Sequence, residues 1–488
     1  MDKLRVGIDL GTTNTVCCHF DNSLNFIKFH GKELLPSVLF YRDGKTIVGG
    51  SVKKKAITYP NNSISSAKTF MGDDDKKWMI EDKSFTPTEV ATEVLKEVAK
   101  EVYKTYNVEE CAAVITVPAY FTSKQYMETE KAAQAAGIEV IQILPEPAAA
   151  AIAYGIDENN DQNIFIIDLG GGTFDVSILK IEENEFTEIA TDGDRCLGGD
   201  DFDKKLVEMC LKQIRVEHGI NLASEGKSGL DPTLYAQVMK KLQAECEKAK
   251  VELSATEETD IVIPSLIPQN GSSINFSMHI TRADFEEQCE ELLERIEEII
   301  ERCLEDANYD AGDIDKVILV GGSSNIPAVK ELVIRVFDKN PYADRDLSKL
   351  VAIGAAIKAV DDKVLIKNKQ IKVNNILSHS FGIQVRDSEY SIIIPKGTQY
   401  PCENTETYTT LSDYQESIRV KIYEGEDEDN IENDFYYDEY LHEGIERAPK
   451  GVPEVEITFS FDKNRVLHVE SIDTKTKTKY NKDVSVKA

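Results

Sequence analysis

Apolar residues recur at intervals of three or four along two stretches of the chain, and this spacing predicts two long amphipathic helices. The first stretch contains Leu234, Val238, Leu242, Cys246 and Ala249, and the second contains Phe285, Cys289, Leu292, Ile296, Ile299 and Cys303. Neither pattern extends over enough heptads for a coiled coil, so each helix is expected to pack one face on its own domain.

An apolar run that ends in aspartate and a glycine–threonine turn occurs twice. VGIDLGTTNT spans residues 6–15, and FIIDLGGGTFDVSIL spans residues 165–179. Two copies of one strand–turn–strand unit indicate a duplicated α/β domain with a cleft between two similar lobes. VITVPAY (114–120) and the alanine-rich AAAAIAYG (148–155) add a strand and a helix, which favours mixed sheets covered by helices.

The pattern changes near residue 362, where short alternating runs separated by Gly, Pro, Asn and Asp begin. These runs are FGIQV, YSIIIP, TYTTL, SIRVKIYEG, EVEITFSF and VLHVESID. They predict a small all-β module. The acidic segment at 424–439 is expected to be a solvated loop of that module, with a binding site for a basic partner as the alternative.

Composition and charge narrow the class of protein. The 488 residues correspond to about three compact units at roughly 150 residues each, and the net charge of −31 argues against nucleic acid and anionic membranes as partners. The sequence contains no apolar run of the roughly 18 residues that a membrane-spanning helix needs, and no leader is expected before the first strand. The nine cysteines include no C-x-x-C pair, which predicts reduced thiols and a cytoplasmic location.

The two aspartate–glycine–threonine turns have the chemistry of a phosphate clamp. Glycine lets backbone N–H groups approach a phosphate closely, and threonine hydroxyls donate to its oxygens. Asp9 and Asp168 end the two strands, where carboxylates can hold a magnesium ion that keeps several waters. A third glycine turn, VILVGGSSNIP, lies at 317–327, whereas neither G-x-x-x-x-G-K-[ST] nor H-E-x-x-H occurs in the sequence. We therefore expect a binding site for a polyphosphate. This site is expected to differ from a P-loop, and the sequence gives no support for a zinc hydrolase.

The ordered set of motifs closely resembles the seventy-kilodalton heat-shock chaperones of the DnaK type. The motifs are DLGTTNT, SSAKTFMG, ITVPAYF, LPEPAAAAIAYG, DLGGGTFDVS, LGGDDFD, CEKAKVELS, GGSSNIP and GAA, followed by FGIQV, TYTTLSDYQESIRVKIYEGE and APKGVPEVEITFSFD. The resemblance implies an α/β actin-like (ribonuclease H-like, duplicated) ATPase domain at 1–362. It also implies an interdomain linker at 363–375 and an all-β peptide-binding sandwich at 376–488 without the helical lid.

The resemblance also implies roles for individual residues. The family's catalytic group corresponds to Lys68, Glu146, Asp168, Thr173 and Asp175, and Lys68 would position the attacking water. The resemblance implies that Asp9, Glu146 and Asp168 hold Mg²⁺ through water. It also implies a K⁺ ion near Asp9, Thr173 and Asp175. The ATP or ADP site comprises Asp9, Gly11, Thr12, Thr13, Asn14, Gly170, Gly171, Gly172, Thr173, Gly198, Gly199, Asp200, Glu247, Lys250, Ser254, Gly321, Gly322 and Ser323. The peptide-binding positions are Ile383, Arg386, Tyr408, Leu411, Ile418 and Val420.

Several positions depart from the family pattern. Val251 and Asn325 replace two arginines of the adenine pocket, and loss of a cation–π stack costs about 0.5–2 kcal/mol, so ATP binding is expected to be weakened but not abolished. Pro118 is kept, but its partner arginine is replaced by Tyr126. The family's leucine-rich linker aligns here with IKVNN (371–375), whose polar side chains are not expected to dock in an apolar groove as leucines do. The apolar run 364–366 would take the place of those leucines if the alignment is shifted.

These departures lead to the hypothesis that coupling between the domains, and to J-domain partners, is weak or rewired. Gln142 and Pro145 stand where the family's J-domain contact has arginine and asparagine. The expected function is an ATP-dependent chaperone that binds unfolded or extended polypeptide, with a J-domain cochaperone and a nucleotide exchange factor as further partners. The alternatives are a non-hydrolysing regulatory or scaffolding relative that binds nucleotide structurally, and a sugar or acetate kinase, against which the β module and CEKAKVELS argue.

Overall fold

The structure is a computed structural model that describes most of the chain. The described residues are 3–21, 23–155, 161–182, 185–269, 272–342, 346–360, 372–386, 389–428, 430–462 and 465–484. Within them, no helix combines the length and apolar character needed to cross a bilayer.

The first lobe is built around a six-stranded sheet. Its strands and helices are β1 (Leu4–Leu10), β2 (Asn14–Phe20), β3 (Leu24–Phe26), β4 (Leu34–Pro36), β5 (Leu39–Arg42), β6 (Lys45–Val48), α1 (Gly50–Thr58), β7 (Ser63–Ile64), β8 (Trp78–Ile80), β9 (Lys83–Phe85), α2 (Pro87–Tyr106), β10 (Cys111–Val117), α3 (Ser123–Ala135) and β11 (Glu139–Pro145). The main sheet has the order β11-β10-β1-β2-β3, with β4 on β2. Helix α2 begins at a capping box in which Thr86 and Glu89 satisfy each other's backbone N–H groups.

The second lobe contains a five-stranded sheet and most of the helices. Its elements are α4 (Glu146–Gly155), β12 (Gln162–Leu169), β13 (Phe174–Glu182), β14 (Glu185–Asp194), α5 (Gly199–His218), α6 (Glu225–Ser228), α7 (Pro232–Leu253), β15 (Glu258–Gln269), β16 (Ser272–Thr281), α8 (Arg282–Gln288), α9 (Glu290–Ala307), β17 (Lys316–Val320), α10 (Pro327–Phe337), α11 (Leu350–Val360) and β18 (Lys372–Asn374). The strand order is β17-β12-β13-β14-β18.

The repeated sequence motif forms two hairpins of the same kind. Strands β1 and β2 are antiparallel, with Asp9 opposite Val16, and β12 and β13 are antiparallel, with Asp168 opposite Asp175. Helices α4 and α11 pack between the two sheets. They touch through their backbones: a Cβ added at Gly354 would lie 1.7 Å from the carbonyl oxygen of Ala149, so only glycine fits there.

One of the two predicted long helices is a single helix and the other is broken. The first is α7, and its buried residues include Val238, Leu242, Cys246 and Ala249. The second is divided into α8 and α9 at Cys289, whose φ of −98° and ψ of 1° interrupt the helix, so the expectation of one continuous helix is wrong. Its apolar positions are nevertheless all buried, as the spacing predicts.

The C-terminal part is a sandwich of two four-stranded sheets. Its strands are β19 (Phe381–Arg386), β20 (Glu389–Ile394), β21 (Cys402–Thr409), β22 (Ser417–Glu424), β23 (Phe435–Glu443), β24 (Glu454–Phe461), β25 (Leu467–Asp473) and β26 (Lys479–Val484). The sheets have the orders β20-β19-β22-β23 and β21-β24-β25-β26. Side chains that include Phe381, Ile422 and Phe459 fill the space between them.

The acidic segment at 424–439 is the predicted solvated loop only in part, since Glu426, Glu428 and Glu432 are exposed but both ends of the segment belong to strands. Its end belongs to β23, and Ile431 and Tyr437 are buried. Glu424 is fully buried, and Glu426 accepts hydrogen bonds from the backbone N and hydroxyl of Ser380. Apolar residues interspersed among the acidic ones provide the surface that packs against the sandwich.

The C-terminal residues of the predicted linker are docked. β18 pairs in parallel with β14, and Asn374 donates hydrogen bonds to Glu185 and Thr187. Backbone pairing and polar partners therefore hold residues 372–374, in place of the apolar groove that a run of leucines would occupy. Residues 361–371, including the alternative run 364–366 and the predicted boundary at 362, lie outside the described residues.

Candidate functional site: a cleft between the two lobes

A cavity of about 240 Å³ lies between the lobes and collects residues from both aspartate–glycine–threonine turns. Of the predicted site residues, it is lined by Asp9, Gly11, Thr12, Thr13, Asn14, Lys68, Glu146, Asp168, Gly170, Gly171, Thr173, Asp200, Glu247, Lys250, Ser254, Gly321, Gly322 and Ser323. The remaining predicted site residues, Gly172, Asp175, Gly198 and Gly199, are not part of this lining.

The two turns face each other at very short range. A Cβ added at Gly171 would lie 1.9 Å from the hydroxyl oxygen of Thr13, so the backbone of one turn reaches the side chain of the other only because residue 171 is glycine. The second turn is held from behind by the start of α5, where the N–H groups of Gly199 and Asp200 donate to the carbonyl oxygens of Gly170 (3.0 Å) and Gly171 (2.7 Å). The turns therefore form a rigid cradle with N–H groups and hydroxyls, as a polyphosphate requires.

A buried ion pair lies beside the cradle. The ammonium group of Lys68 donates to Oε1 of Glu146 at 2.6 Å, and both side chains are buried. Lys68 comes from the turn that precedes β8, and Glu146 is the first residue of α4, so the pair joins two separate segments of the chain. The lysine is thus held in place where it lines the cavity.

Carboxylates crowd the same end of the cavity. Burial, followed by the neighbouring Glu146 carboxylate, raises the pKa of Asp9 to about 7, although the Thr116 hydroxyl donates to it. Burial and the same neighbour raise the pKa of Asp175 to about 8, and the backbone N–H of Tyr120 donates to this carboxylate at 3.1 Å. Burial and three surrounding carboxylates hold the pKa of Asp168 well above its usual range. Such a cluster favours a bound cation, which would stabilise the ionised forms.

The carboxylates fit a hydrated cation better than a directly ligated one. Among the described residues, no three His, Cys, Asp or Glu side chains come close enough together to ligate a single ion. Magnesium usually keeps several of its waters and binds through one or two carboxylates and substrate phosphates. Asp9, Glu146 and Asp168 are therefore suited to hold it through water.

The other end of the cavity is organised by Lys250. Its buried ammonium group donates to the carbonyl oxygen of Gly199 at 2.7 Å and pairs with Asp203 at 3.0 Å, and so ties α7 to the start of α5. Burial raises the pKa of Asp203 to about 6, while Lys250 opposes that rise. Val251, one of the two departures from the family pattern, lines the cavity and is 63% exposed. A planar cation at that position would have room to cover the cavity.

Two residues of the site escape the sequence reasoning. Asp203 lies within LGGDDFD, and nothing in the sequence distinguishes it from the other acidic residues of α5. Its ion pair with Lys250, at 3.0 Å, becomes evident only in the structure. Ser66, two residues before Lys68, donates to Oδ2 of Asp200 at 2.6 Å and closes the cleft by joining the two lobes. Its proximity to Lys68 within SSAKTFMG is the one local signal that could have pointed to it.

The predicted peptide-binding residues fall into three groups by their exposure. Ile383 and Val420 are buried in the core of the sandwich, and Tyr408 and Ile418 pack against that core while partly exposed. The Tyr408 hydroxyl lies 3.0 Å from the hydroxyl of Ser391. Arg386 and Leu411 are exposed. Tyr408 and Ile418 therefore provide accessible apolar surface continuous with the core.

Comparisons with known proteins agree with this architecture. A family profile described as "Hsp70 protein" matches residues 5–488. Proteins named Chaperone protein DnaK from Thermotoga neapolitana and Thermotoga maritima are each 37% identical over 476 residues, which cover 96% of this chain and 78% of the relative. The protein named Chaperone protein dnaK from Guillardia theta is 36% identical over 497 residues, covering 96% of this chain and 77% of the relative.

The chain belongs to the Hsp70 family, and the resemblance found in the sequence is confirmed. This membership supports a chaperone function. Membership of this family implies an actin-like ATPase domain followed by a β-sandwich, and the mixed α/β sheets and the C-terminal strands of this structure are consistent with that plan.

Proposed function

We propose that this protein is an ATP-dependent chaperone that binds and hydrolyses Mg²⁺-ATP between the two lobes. The observation that carries the proposal is the Lys68–Glu146 pair, held at 2.6 Å beside three carboxylates and the two facing turns. Phosphoryl transfer needs positioning and charge neutralisation more than covalent chemistry, and this arrangement supplies both.

Each group in the cleft has a distinct task in this proposal. The turns that contain Thr13 and Gly171 hold the phosphates through N–H groups and hydroxyls. Lys68, fixed by Glu146, positions the attacking water and adds a positive charge near the transferred phosphoryl group. A magnesium ion, held through water by Asp9, Glu146 and Asp168, neutralises phosphate charge when it is bound, and a potassium ion near Asp9, Thr173 and Asp175 would add to this neutralisation.

We further propose that the β module binds unfolded or extended polypeptide at the surface around Tyr408 and Ile418. Both side chains offer exposed apolar area beside a packed core. Ile418→Ala should lower the affinity for a labelled apolar peptide by about tenfold, because apolar area that the peptide would bury is lost. Arg419→Ala is the matched control, since Arg419 is the next residue of β22 and its exposed side chain pairs with Glu439. Equal affinities of the two variants would contradict this location.

Single-turnover ATP hydrolysis tests the enzymatic part of the proposal. Lys68→Ala should slow the chemical step by orders of magnitude while retaining nucleotide binding. Lys100→Ala removes an exposed lysine of α2 that pairs only with Glu97 among the described residues, and should hydrolyse ATP at the wild-type rate. ATP binding without measurable turnover by the wild type would instead favour the non-hydrolysing regulatory relative.

The coupling of the two halves and the cochaperones are part of the same proposal. We expect only weak synergy when a J-domain protein and an apolar peptide are added together, because Tyr126, Gln142 and Pro145 depart from the family pattern. Strong synergistic stimulation of ATP hydrolysis would refute this expectation. A nucleotide exchange factor should accelerate release of a fluorescent ADP analogue if that partner is shared with the family.

A further inference from the structure

A group of buried polar side chains lies where the β module meets the first lobe. We call this group the docking cluster. It comprises Ser123 and Tyr126 from α3, together with Ser378, His379, Glu424 and Arg465 from the segment before β19, the end of β22 and the turn between β24 and β25. Every member of the cluster is buried. The cluster therefore lies in the contact between the two halves and not on an open surface.

Arg465 makes three contacts within the cluster. Its guanidinium carbon lies 4.4 Å from the centre of the Tyr126 ring, which is a cation–π contact across the domain boundary. Nη2 of Arg465 donates to the hydroxyl of Ser378 at 3.0 Å and lies 3.6 Å from Oε1 of Glu424. The residue is only 5% exposed, so its charge depends on these partners instead of on water.

Glu424 completes the contact from the opposite direction. Its carboxylate oxygens accept from the backbone N–H of Ser123 at 3.1 and 3.2 Å, at the first turn of α3. That position is favourable for a negative charge, since the N-terminal N–H groups of a helix have no partner within the helix. His379 lies 3.6 Å from Glu424, and its ring packs 4.4 Å from that of Tyr120. A cation and an anion of the β module thus both engage the α3 region.

The backbone of Arg465 gives an independent reason to assign it a role at this contact. Its φ is +63°, in the left-handed region that a side chain with a Cβ adopts at a cost. A glycine or asparagine would suit the turn better. An arginine in this conformation, directed into the other domain, is explained by what it binds there and not by the turn itself.

We propose that Arg465 holds the β module against the nucleotide domain, with the face of Tyr126 as its receptor. This contact sets how firmly the two halves dock. It does not depend on ATP hydrolysis, so it can be tested whether or not the protein proves to be an ATPase.

A second ion pair across the same boundary provides a reporter. Lys396 of the β module donates to Asp306 of α9 at 2.6 Å, and among the described residues no hydrogen bond or ion pair joins either of them to a member of the docking cluster. A water-soluble carbodiimide joins such a pair as an amide only while the halves are docked, and peptide mass spectrometry quantifies the product. Lys205 and Glu291, 3.2 Å apart within the nucleotide domain, give an internal reference yield.

The test measures the Lys396–Asp306 yield, relative to that reference, in the full-length chain. Arg465→Ala should lower the ratio of docked to undocked molecules about thirtyfold, which corresponds to about 2 kcal/mol for a desolvated cation–π contact. Tyr126→Leu keeps apolar volume but removes the ring face and should act in the same direction, and Arg465→Lys should fall in between. Arg419→Ala, an exposed arginine of the same module, should leave the yield unchanged.

Small-angle scattering should show a larger radius of gyration for the two undocked variants. The double variant should lose little more docking than either single one, since both remove the same contact. Yields for Arg465→Ala and Tyr126→Leu that match Arg419→Ala would overturn the proposal. If Arg465→Ala does not fold, Tyr126→Leu and Arg465→Lys decide the question, because neither leaves the buried Glu424 without a cation.

Discussion

Gly171→Ala is the most direct test of the cleft geometry. An alanine Cβ would be 1.9 Å from the Thr13 hydroxyl, where no real contact is shorter than about 3 Å, so the two turns must separate by roughly an ångström or Thr13 must leave its position. Overpacking of this kind costs about 1–3 kcal/mol. If that cost falls on closure of the lobes around the nucleotide, ATP affinity should decrease about five- to 150-fold.

Gly170→Ala is the matched control for this experiment. It makes the same chemical change in the same turn, but the nearest atoms, both of Thr173, are 3.5 and 3.7 Å away, which is an ordinary contact. Titration with a fluorescent ATP analogue should therefore show a much larger loss for Gly171→Ala than for Gly170→Ala. Equal affinities would refute the close approach of the turns. The same overpacking should lower the thermal stability of Gly171→Ala. Adding Thr13→Ala should recover part of that loss, because it removes the Thr13 hydroxyl oxygen, which is the atom nearest to the added Cβ.

Three further predictions concern other parts of the molecule. Lys250→Met should lower the free energy of unfolding by about 3–5 kcal/mol in denaturant titrations, because Asp203 is left buried without its cation. Adding Asp203→Asn should restore much of the lost stability. An unchanged midpoint for Lys250→Met would contradict the buried pair. Val251→Arg should raise ATP affinity about two- to thirtyfold in competition binding, because it places a planar cation over the cavity, where the cation can stack on the adenine base. No gain in affinity would argue against stacking of the base at that position. Burial raises the pKa of Glu188 from 4.5 to about 7, so the folded state keeps a proton that the unfolded state has released, and the free energy of unfolding should fall as pH rises between these values. Because Asp9, Asp175 and Asp203 contribute in the same direction, Glu188→Gln should reduce this dependence by the contribution of one carboxyl group, whereas the same change at the exposed Glu185 should leave it unchanged.

Local chemistry made much of the site predictable from the sequence. Aspartate at a strand end, followed by glycine and threonine, specifies a hairpin and its turn within ten residues, and both copies of this motif form the hairpins that the pattern predicts. The alternation after residue 380 likewise predicts most strands of the β module. In each case, the residues that determine the structure are neighbours along the chain.

The features that the sequence did not predict depend on distant residues. The break at Cys289 interrupts a helix without changing the period of the buried positions, so the spacing contains no sign of it. The acidic segment looks solvated because its charges outnumber its apolar residues, yet Ile431 and Tyr437 find a surface to pack against. Asp203 and Glu424 are inconspicuous acidic residues until Lys250 and Arg465 are brought beside them by the fold.

The crossing of α4 and α11 determines how the two lobes can move. Gly354 touches Ala149, and a Cβ at Gly7 of β1 would lie 2.0 Å from the backbone nitrogen of Ala356, so these segments meet backbone to backbone. At these two contacts no side chain lies between the segments that could change rotamer to let one segment slide past the other. We therefore expect the lobes to rotate about this crossing and not to slide along it. We expect a single added methyl group at Gly354 to push α11 away from α4 and so to displace both Asp9 and Asp168 from their positions in the cleft.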